Sequence, residues 1–418
     1  MNELNQLVDH LFRHESGKMV AVLTRLFGFK NYDIAQDIVQ ETLLSALDNW
    51  KLKGIPENPT AWLYSVAKNK TVDMLRREKL FDEIAPEIAH QTQNDERMQN
   101  RIDHLFLDNE IEDSLLRMMF ACCHPALPIE GQIALILRTL CGLSIEEVAK
   151  ALLSNPENIN KRLYRTKDKI RAENIELEVP IGNELLERLD DVLRVIYLLF
   201  NEGYNSTSTD LVIKKDLCEE AIRLGHLLIN HSVTNQPKCR ALLALMYFQA
   251  SRFDARIDDE GNIVLLQFQN RHKWNKELIS NGFYFLNQSS EGNEISEYHI
   301  EAAIASYHAR AESFEATHWQ AILVLYRMLD QIKPSPIVKF NQAIAIGFVE
   351  NPQKAIEALL SIEGLENNQY YQSALGDFYT KLNDAQNARQ HYEKAIKLTK
   401  SKAEWKLIWD KIEKTSDQ

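Results

Sequence analysis

Apolar residues recur three and four positions apart along almost the whole chain, and the alternation expected of strands is nearly absent. An all-α protein is therefore expected. The span Asp33 to Trp50 reads as one amphipathic helix, with Ile34, Ile38, Val39, Leu43, Ala46 and Leu47 as its apolar stripe. Gly54, Pro56 and Pro59 break the chain before a second helix, about 60–79, whose inner side is Trp62, Leu63, Val66, Val72 and Leu75. From Phe81 to about Gln99 the pattern turns polar, which predicts a linker, and helices resume near Ile111.

Between Glu130 and Ala172 the pattern predicts a helix-turn-helix. Ile133 to Leu140 is an apolar helix that Gly142 can close in a left-handed conformation. Ser144 and Glu147 form a serine-x-x-glutamate capping box ahead of a short helix with Val148, Ala149, Leu152 and Leu153 inward. Asn155 caps the next helix and Pro156 starts it; Ile159, Leu163 and Ile170 turn inward. Asn158, Asn160, Lys161, Arg162, Arg165 and Lys169 stay outside. Amides near a helix start suit base edges, and cations further along suit phosphates, although such helix pairs also serve as plain packing units. Beyond Pro180 the pattern remains helical. The exception is Phe253 to Phe268, where the Asp258–Asn262 run and Ile263–Leu266 predict a turn and a short hairpin. Further on, Gly376, Ala388 and Tyr392 share their spacing with Ala343, Ala355 and Leu359, and with Ala309, Ala321 and Leu325. The steps match the roughly 34-residue tetratricopeptide period, so paired helices stacked into an array are expected at the C-terminal end.

A net charge of -12 over 418 residues argues at first against a nucleic-acid partner. Its distribution reverses that. Lys68 to Lys79 carries +3 and Glu157 to Arg171 carries +4, which leaves -19 for the rest. Two short basic helices on an acidic body fit a protein that meets phosphates at chosen places, while solvated helix faces are the plainer explanation of such runs. The start of the chain has no basic segment followed by an apolar core, no apolar run is long enough for a membrane span, and five cysteines make no disulfide framework. A cytoplasmic protein is expected. No phosphate loop, nucleophile elbow or H-E-x-x-H occurs, so neither an enzyme nor a cofactor is expected. Cys122-Cys123-His124 with Cys141 nearby has no metal-site spacing and reads as buried small hydrophobes. Asn201-Glu202-Gly203 reads as a helix end capped by glycine, and the acidic run after Asp254 lacks EF-hand spacing.

Three segments, in order, resemble the extracytoplasmic-function subgroup of the sigma-70 family. Ala35 to Leu44 resembles region 2.2, which docks on core RNA polymerase; the resemblance implies that Asp37, Gln40, Glu41 and Leu44 make that contact. Pro59 to Lys70, continuing through Asp73 to Arg77, resembles the segment that opens and reads the -10 element. It implies Tyr64, Lys68, Asn69, Lys70, Arg76 and Arg77 as DNA contacts, Trp62 being read as core. Aromatic faces beside cations suit unstacked bases. Gly142 to Ala149 and the helix ending at Arg171 resemble region 4, which reads the -35 element; Asn158, Asn160, Lys161, Arg162, Arg165 and Lys169 are the implied contacts. Leu153 departs from the glycine common at that turn. The stretches Tyr197–Tyr204, Asp254-Ala255-Arg256, Val264-Leu265-Leu266, Asn270-Arg271 with Trp274, Ala302–Ala311 and Pro334-Ser335-Pro336 resemble the long subgroup with a tetratricopeptide-like extension.

The resemblance implies region 2 at 1–80, a linker at 81–110, region 4 at 111–175, a family-specific helical domain at 180–290 and helical repeats at 291–418. Core polymerase and promoter DNA are the implied partners, with a regulatory protein or ligand at the repeats. An alternative is a helix-turn-helix regulator with a sensing repeat domain. It would footprint promoter DNA alone, whereas a sigma factor needs the core enzyme. A third reading, a repeat-based adaptor, leaves Lys161, Arg162 and Arg165 without a purpose.

Overall fold

Nineteen α-helices and four short 3-10 turns make up the regular structure of the described residues, with no strand among them. The computed structural model describes residues 2–77, 95–152, 154–176, 183–205, 211–256, 258, 264–399 and 402–416. Among these, no helix is long and apolar enough to cross a membrane. Two units divide the chain, the first over 1–206 and 211–234, the second over 207–210 and 235–418.

The first unit is built around α1 (Asn2–Phe27), whose stretch from Met19 to Thr24 is wholly buried. Its close neighbours are α2 (Tyr32–Lys53), α3 (Pro59–Arg77) and α5 (Asp108–Cys122). At Gly17 the backbone of α1 meets the end of α6 (Ile129–Thr139); a Cβ there would lie 2.5 Å from the Leu140 carbonyl oxygen. Only glycine allows that approach. Gly142 takes φ 65°, the left-handed conformation foreseen for it, and Leu143 N–H returns to the Leu137 carbonyl at 3.0 Å. The box at the start of α7 (Ile145–Ala151) is closed in both directions: Glu147 N–H donates to Ser144 Oγ at 3.1 Å, and Ser144 N–H to Glu147 Oε2 at 2.7 Å. Asn155 Oδ1 then accepts from Asn158 N–H at 2.8 Å at the start of α8 (Pro156–Ala172). Leu153, the departure at this turn, lies outside the described residues.

Two features of the first unit differ from expectation. A helix, α4 (Asp95–Leu105), occupies part of the span read as a linker; Met98 and Ile102 are buried although their surroundings are polar. Two apolar residues sufficed because α4 leans on α3 and α5 and needs only one narrow inner edge. The segment beginning at Asn183 also belongs largely here. Leu189, Val192, Leu193, Val195, Ile196 and Leu199 of α9 (Asn183–Asn205) are buried, and α9 and α10 (Leu211–Asn230) pack on α5, α6 and α7. Arg188 and Arg223 donate to the Phe120 and Leu140 carbonyls at 2.7 and 3.0 Å. Gly203 lies within the last turns of α9 rather than capping it.

In the second unit, α11 (Pro237–Ala250) is apolar nearly all round and is covered by α12 (Lys276–Gln288) and α13 (Glu297–Arg310). The expected hairpin is absent from the described part of 253–268. Two 3-10 turns stand there, with one bond between its arms, Val264 N–H to the Arg256 carbonyl at 2.8 Å; residues 257 and 259–263 lie outside the described set. From α13 onward each helix packs on the next: α14 (Trp319–Ile332), α15 (Pro336–Val349), α16 (Pro352–Leu360), α17 (Gln369–Lys381), α18 (Ala385–Leu398) and α19 (Lys402–Ser416). Ser335, Asn351, Asn368 and Asp384 cap four of these helices with side-chain oxygens, so the period of the array is also a period of caps. Ala343, Ala355, Leu359, Gly376, Ala388 and Tyr392 are all buried, whereas Ala309, Ala321 and Leu325 of the earliest copy are only half-buried.

Candidate functional site

Asp37, Gln40, Glu41 and Leu44 are all exposed, and their spacing of three, four and seven sets them in one stripe on α2. The opposite side, Ile38, Val39, Thr42 and Ala46, is buried, so the stripe rests on a fixed helix. Leu44, 60% exposed, gives it an apolar member. Gln40 borders a cleft of about 350 Å³, to which Phe12 and Ser16 of α1 and Ser144 and Glu147 of the capping box also contribute. Glu41 reaches Lys70 of α3 at 3.1 Å.

The residues of α3 divide. Asn69 and Arg76 are exposed. Tyr64 is half-buried: its hydroxyl donates to Glu15 Oε2 at 2.5 Å, and its ring lies 5.4 Å from that of Phe106. Burial, and then the bond to Glu15, push the phenol well above its ordinary value. Lys68 pairs with Asp103 of α4 at 2.8 Å and lies over the Phe106 ring. Trp62, read as core, is half-buried with its ring 5.5 Å from that of Trp50. The Arg77 side chain lies outside the described residues.

On α8 the buried row is Ile159, Leu163, Thr166 and Ile170. Asn158, Lys161, Arg162, Arg165 and Lys169 follow one outer stripe, at offsets of three, four, seven and eleven. Lys161 pairs with Glu157 at 2.7 Å and Lys169 with Glu173 at 3.5 Å. Among the described residues, no carboxylate lies within ion-pair distance of Arg162 or Arg165. Asn160 is exposed on a different stripe, shared with Tyr164, Lys167 and Arg171. Two residues of that stripe turn back on α2. Lys167 Nζ reaches Asp33 Oδ1 at 2.8 Å and sits 4.5 Å from the Tyr32 ring centre, and Arg171 Nη2 reaches Asp33 Oδ2 at 2.5 Å. Burial alone would raise the Asp33 carboxyl, but the bonds and charges of Lys167 and then Arg171 outweigh it and hold it below the ordinary value. Sequence reasoning had taken the basic helix as one face; its 3.6-residue period already separates the two stripes. It also passed over Tyr164, whose ring is 70% exposed.

Cys122, Cys123 and Cys141 are buried, as their reading as small hydrophobes requires, and burial drives the Cys122 thiol up to about 12. Fold and surface thus define a protein all-helical over its described residues, with a helix-turn-helix, basic outside, a second basic helix and an exposed polar stripe on α2.

Similarity to known proteins agrees with that class. Sigma-70 region 2 matches residues 11–81, and sigma-70 region 4 matches 117–170. A family of unknown function matches 188–290. An uncharacterized protein of Rhizobium meliloti (strain 1021) is 35% identical over 379 residues, 90% of this chain and 88% of that one. The RNA polymerase sigma factor SigV of Bacillus subtilis (strain 168) is 28% identical over 140 residues, 32% of this chain and 73% of that one. The ECF RNA polymerase sigma factor SigE of Mycolicibacterium smegmatis is 26% identical over 167 residues, 39% of this chain and 60% of that one. The chain thus carries sigma-70 region 2 and region 4, is similar to RNA polymerase sigma factors in that part, and belongs over nearly its whole length to one family with the Rhizobium meliloti protein.

Proposed function

We propose that this chain directs promoter recognition by RNA polymerase in the cytoplasm, and that its second unit regulates that activity. Core enzyme docks on Asp37, Gln40, Glu41 and Leu44; α3 meets the -10 element and α8 the -35 element. The observation that carries this reading is the outer stripe of α8, where Arg162 and Arg165 stand free of carboxylates on the second helix of a helix-turn-helix. Lys68 reaches DNA only once Asp103 and Phe106 leave it, and Tyr64 only once its hydroxyl also leaves Glu15 of α1. Tyr164 adds an apolar ring beside the cations of the reading helix, suited to a thymine methyl.

The regulatory role is inferred from the array itself. Stacked helix pairs with a 33–34-residue step, buried small residues at their crossings and a repeated cap support a tetratricopeptide-like reading, and such arrays offer an extended surface to a partner. Charge reversal tests the docking claim. The double variant Asp37→Arg, Glu41→Arg should abolish co-purification with core polymerase while circular dichroism stays unchanged, since both side chains are exposed. Undiminished co-purification contradicts it. A footprint on promoter DNA without core enzyme would favour the conventional regulator.

A further inference from the structure

Asn270, Arg271 and Trp274 are not among the residues proposed to meet DNA or polymerase. They lie together in the second unit. Arg271 opens a 3-10 turn that Asn270 caps, its Oδ1 accepting from His272 N–H at 2.9 Å. The Arg271 guanidinium lies over the indole of Trp274, 4.0 Å from the ring centre, and that of Arg252 lies 5.3 Å from the same ring. Arg271 Nη1 donates to the carbonyl of His308 in the last turn of α13, at 2.5 Å. Arg252 in turn has the side-chain carbonyl oxygens of Gln269 and Gln249 at 3.2 and 3.4 Å.

The polar groups of this cluster do not balance. Among the described residues, three buried atoms of the cluster have no hydrogen-bond partner: Arg271 Nη2, Trp274 Nε1 and His308 Nδ1. Trp274 is 4% exposed, and its indole N–H is buried. Among the described residues, no carboxylate lies within ion-pair distance of Arg271. Glu315, which is exposed, acts on it only from further off. Burial, and then the charge of Arg252, pull Arg271 below its ordinary value. The same two causes, burial first and then Arg252 and Arg271, push His308 down to about 3, so its imidazole is neutral at physiological pH. Buried donors without acceptors are unfavourable unless something supplies acceptor oxygens, and beside the Arg271 guanidinium a negatively charged oxygen is the favoured acceptor. A guanidinium fork with a free Nη2 matches a carboxylate or phosphate in geometry as well as charge.

We propose that Arg271, Trp274 and His308 form a binding site for a small oxyanion, a carboxylate or phosphate group on a soluble ligand. Arg271 Nη2, Trp274 Nε1 and His308 Nδ1, in its Nδ1–H tautomer, are the donors, and Arg252 adds charge beside the indole. The site gives the proposed regulatory unit a ligand class, and it stands on geometry that owes nothing to the transcription reading.

The test reads the indole N–H directly. The full chain has six tryptophans. Labelled with 15N it gives an indole spectrum in which the signal lost in Trp274→Phe belongs to Trp274. Inorganic phosphate and succinate are titrated separately at constant pH and ionic strength, with chloride as control. The Trp274 signal should move saturably with phosphate, with succinate or with both, and stay still in chloride; which probe works identifies the group. Arg271→Gln should weaken the response about tenfold or more, with the other five indole signals in place. If that variant loses the other signals, His308→Gln serves instead, with the same expected weakening. A Trp274 signal that neither probe moves overturns the proposal. So does a response that survives intact in a folded Arg271→Gln chain. Either result leaves promoter-directed transcription untouched, so failure here and failure of the transcription reading are distinguishable.

Discussion

Arg162 and Arg165 differ from the other cations of α8 in having no carboxylate within reach among the described residues. Binding DNA therefore costs them no existing ion pair. Arg165→Ala should lower -35 affinity by about 1–3 kcal/mol and relax preference at one position if the side chain meets a base edge. Binding to a set of single-base variants measures this; a uniform loss would make it a phosphate contact. Lys167 and Arg171 have the opposite role, because both grip Asp33. These two exposed pairs are each worth about 0.2–1 kcal/mol, so Asp33→Ala should raise the free chain's affinity for a -35 duplex by about two- to thirtyfold. Asp37→Ala, which removes the same charge without breaking a tether, should raise it less in an anisotropy titration; equal effects would refute the tether. The sign of the pH dependence follows from the depressed Asp33 value. Its contribution is complete above the ordinary carboxylate value of about 3.9 and is lost only as pH falls through the lower folded value. The affinity gain from Asp33→Ala should therefore be the same at pH 6 and pH 8. The outer residues of α8 were legible from the sequence because exposure follows helical phase. The tether was not, since a residue 134 positions away carries its acidic end.

Four helices of the C-terminal array carry side-chain oxygen caps, and two, α15 and α17, place a glycine against a neighbouring ring. Gly376 faces Tyr392, and a Cβ there would come within 2.5 Å of the ring. The ring cannot easily yield, because its hydroxyl donates to Asp377 at 2.7 Å. Gly376→Val should cost about 1–3 kcal/mol of stability in denaturant unfolding; an unchanged midpoint would contradict the packing described. Most helices, their caps and the 33–34-residue step were readable from local residues, because a cap needs only neighbours within three positions. Less legible were elements whose stability comes from elsewhere. Among the described side chains of helix α4 only Met98 and Ile102 are fully buried, and the helix is held by α3 and α5, so its polar sequence reads as a connection. The apolar run ending at Leu266 follows turn residues and so implies a strand, yet it leads into a 3-10 turn (Leu266–Phe268) beside the Gln269 side chain, whose amide donates to the Val264 carbonyl at 3.0 Å.

At the scale of the whole molecule, the boundary between units falls near Thr234 rather than before Asn183. Sequence composition could not place it, because α9 and α10 have the same apolar stripes as any helix; what assigns them is the pair of arginines donating to the Phe120 and Leu140 carbonyls. A chain ended near Ala172 would strip cover from α5 and α6, and its failure would say nothing about regulation. Ending after Thr234 keeps that cover. Circular dichroism should show the shortened chain folded, and its transcription should differ from that of the full chain if the second unit regulates. The acidic balance of -12 remains compatible with DNA binding because the positive charge is concentrated on α3 and α8. Promoter-directed initiation is tested most directly by run-off transcription with purified core polymerase on a pool of promoter fragments. The account predicts transcripts from discrete start sites only when the chain is added, lost with the Asp37→Arg, Glu41→Arg variant. Protection of the fragments by the chain alone, with no new transcripts in the presence of core enzyme, would contradict it.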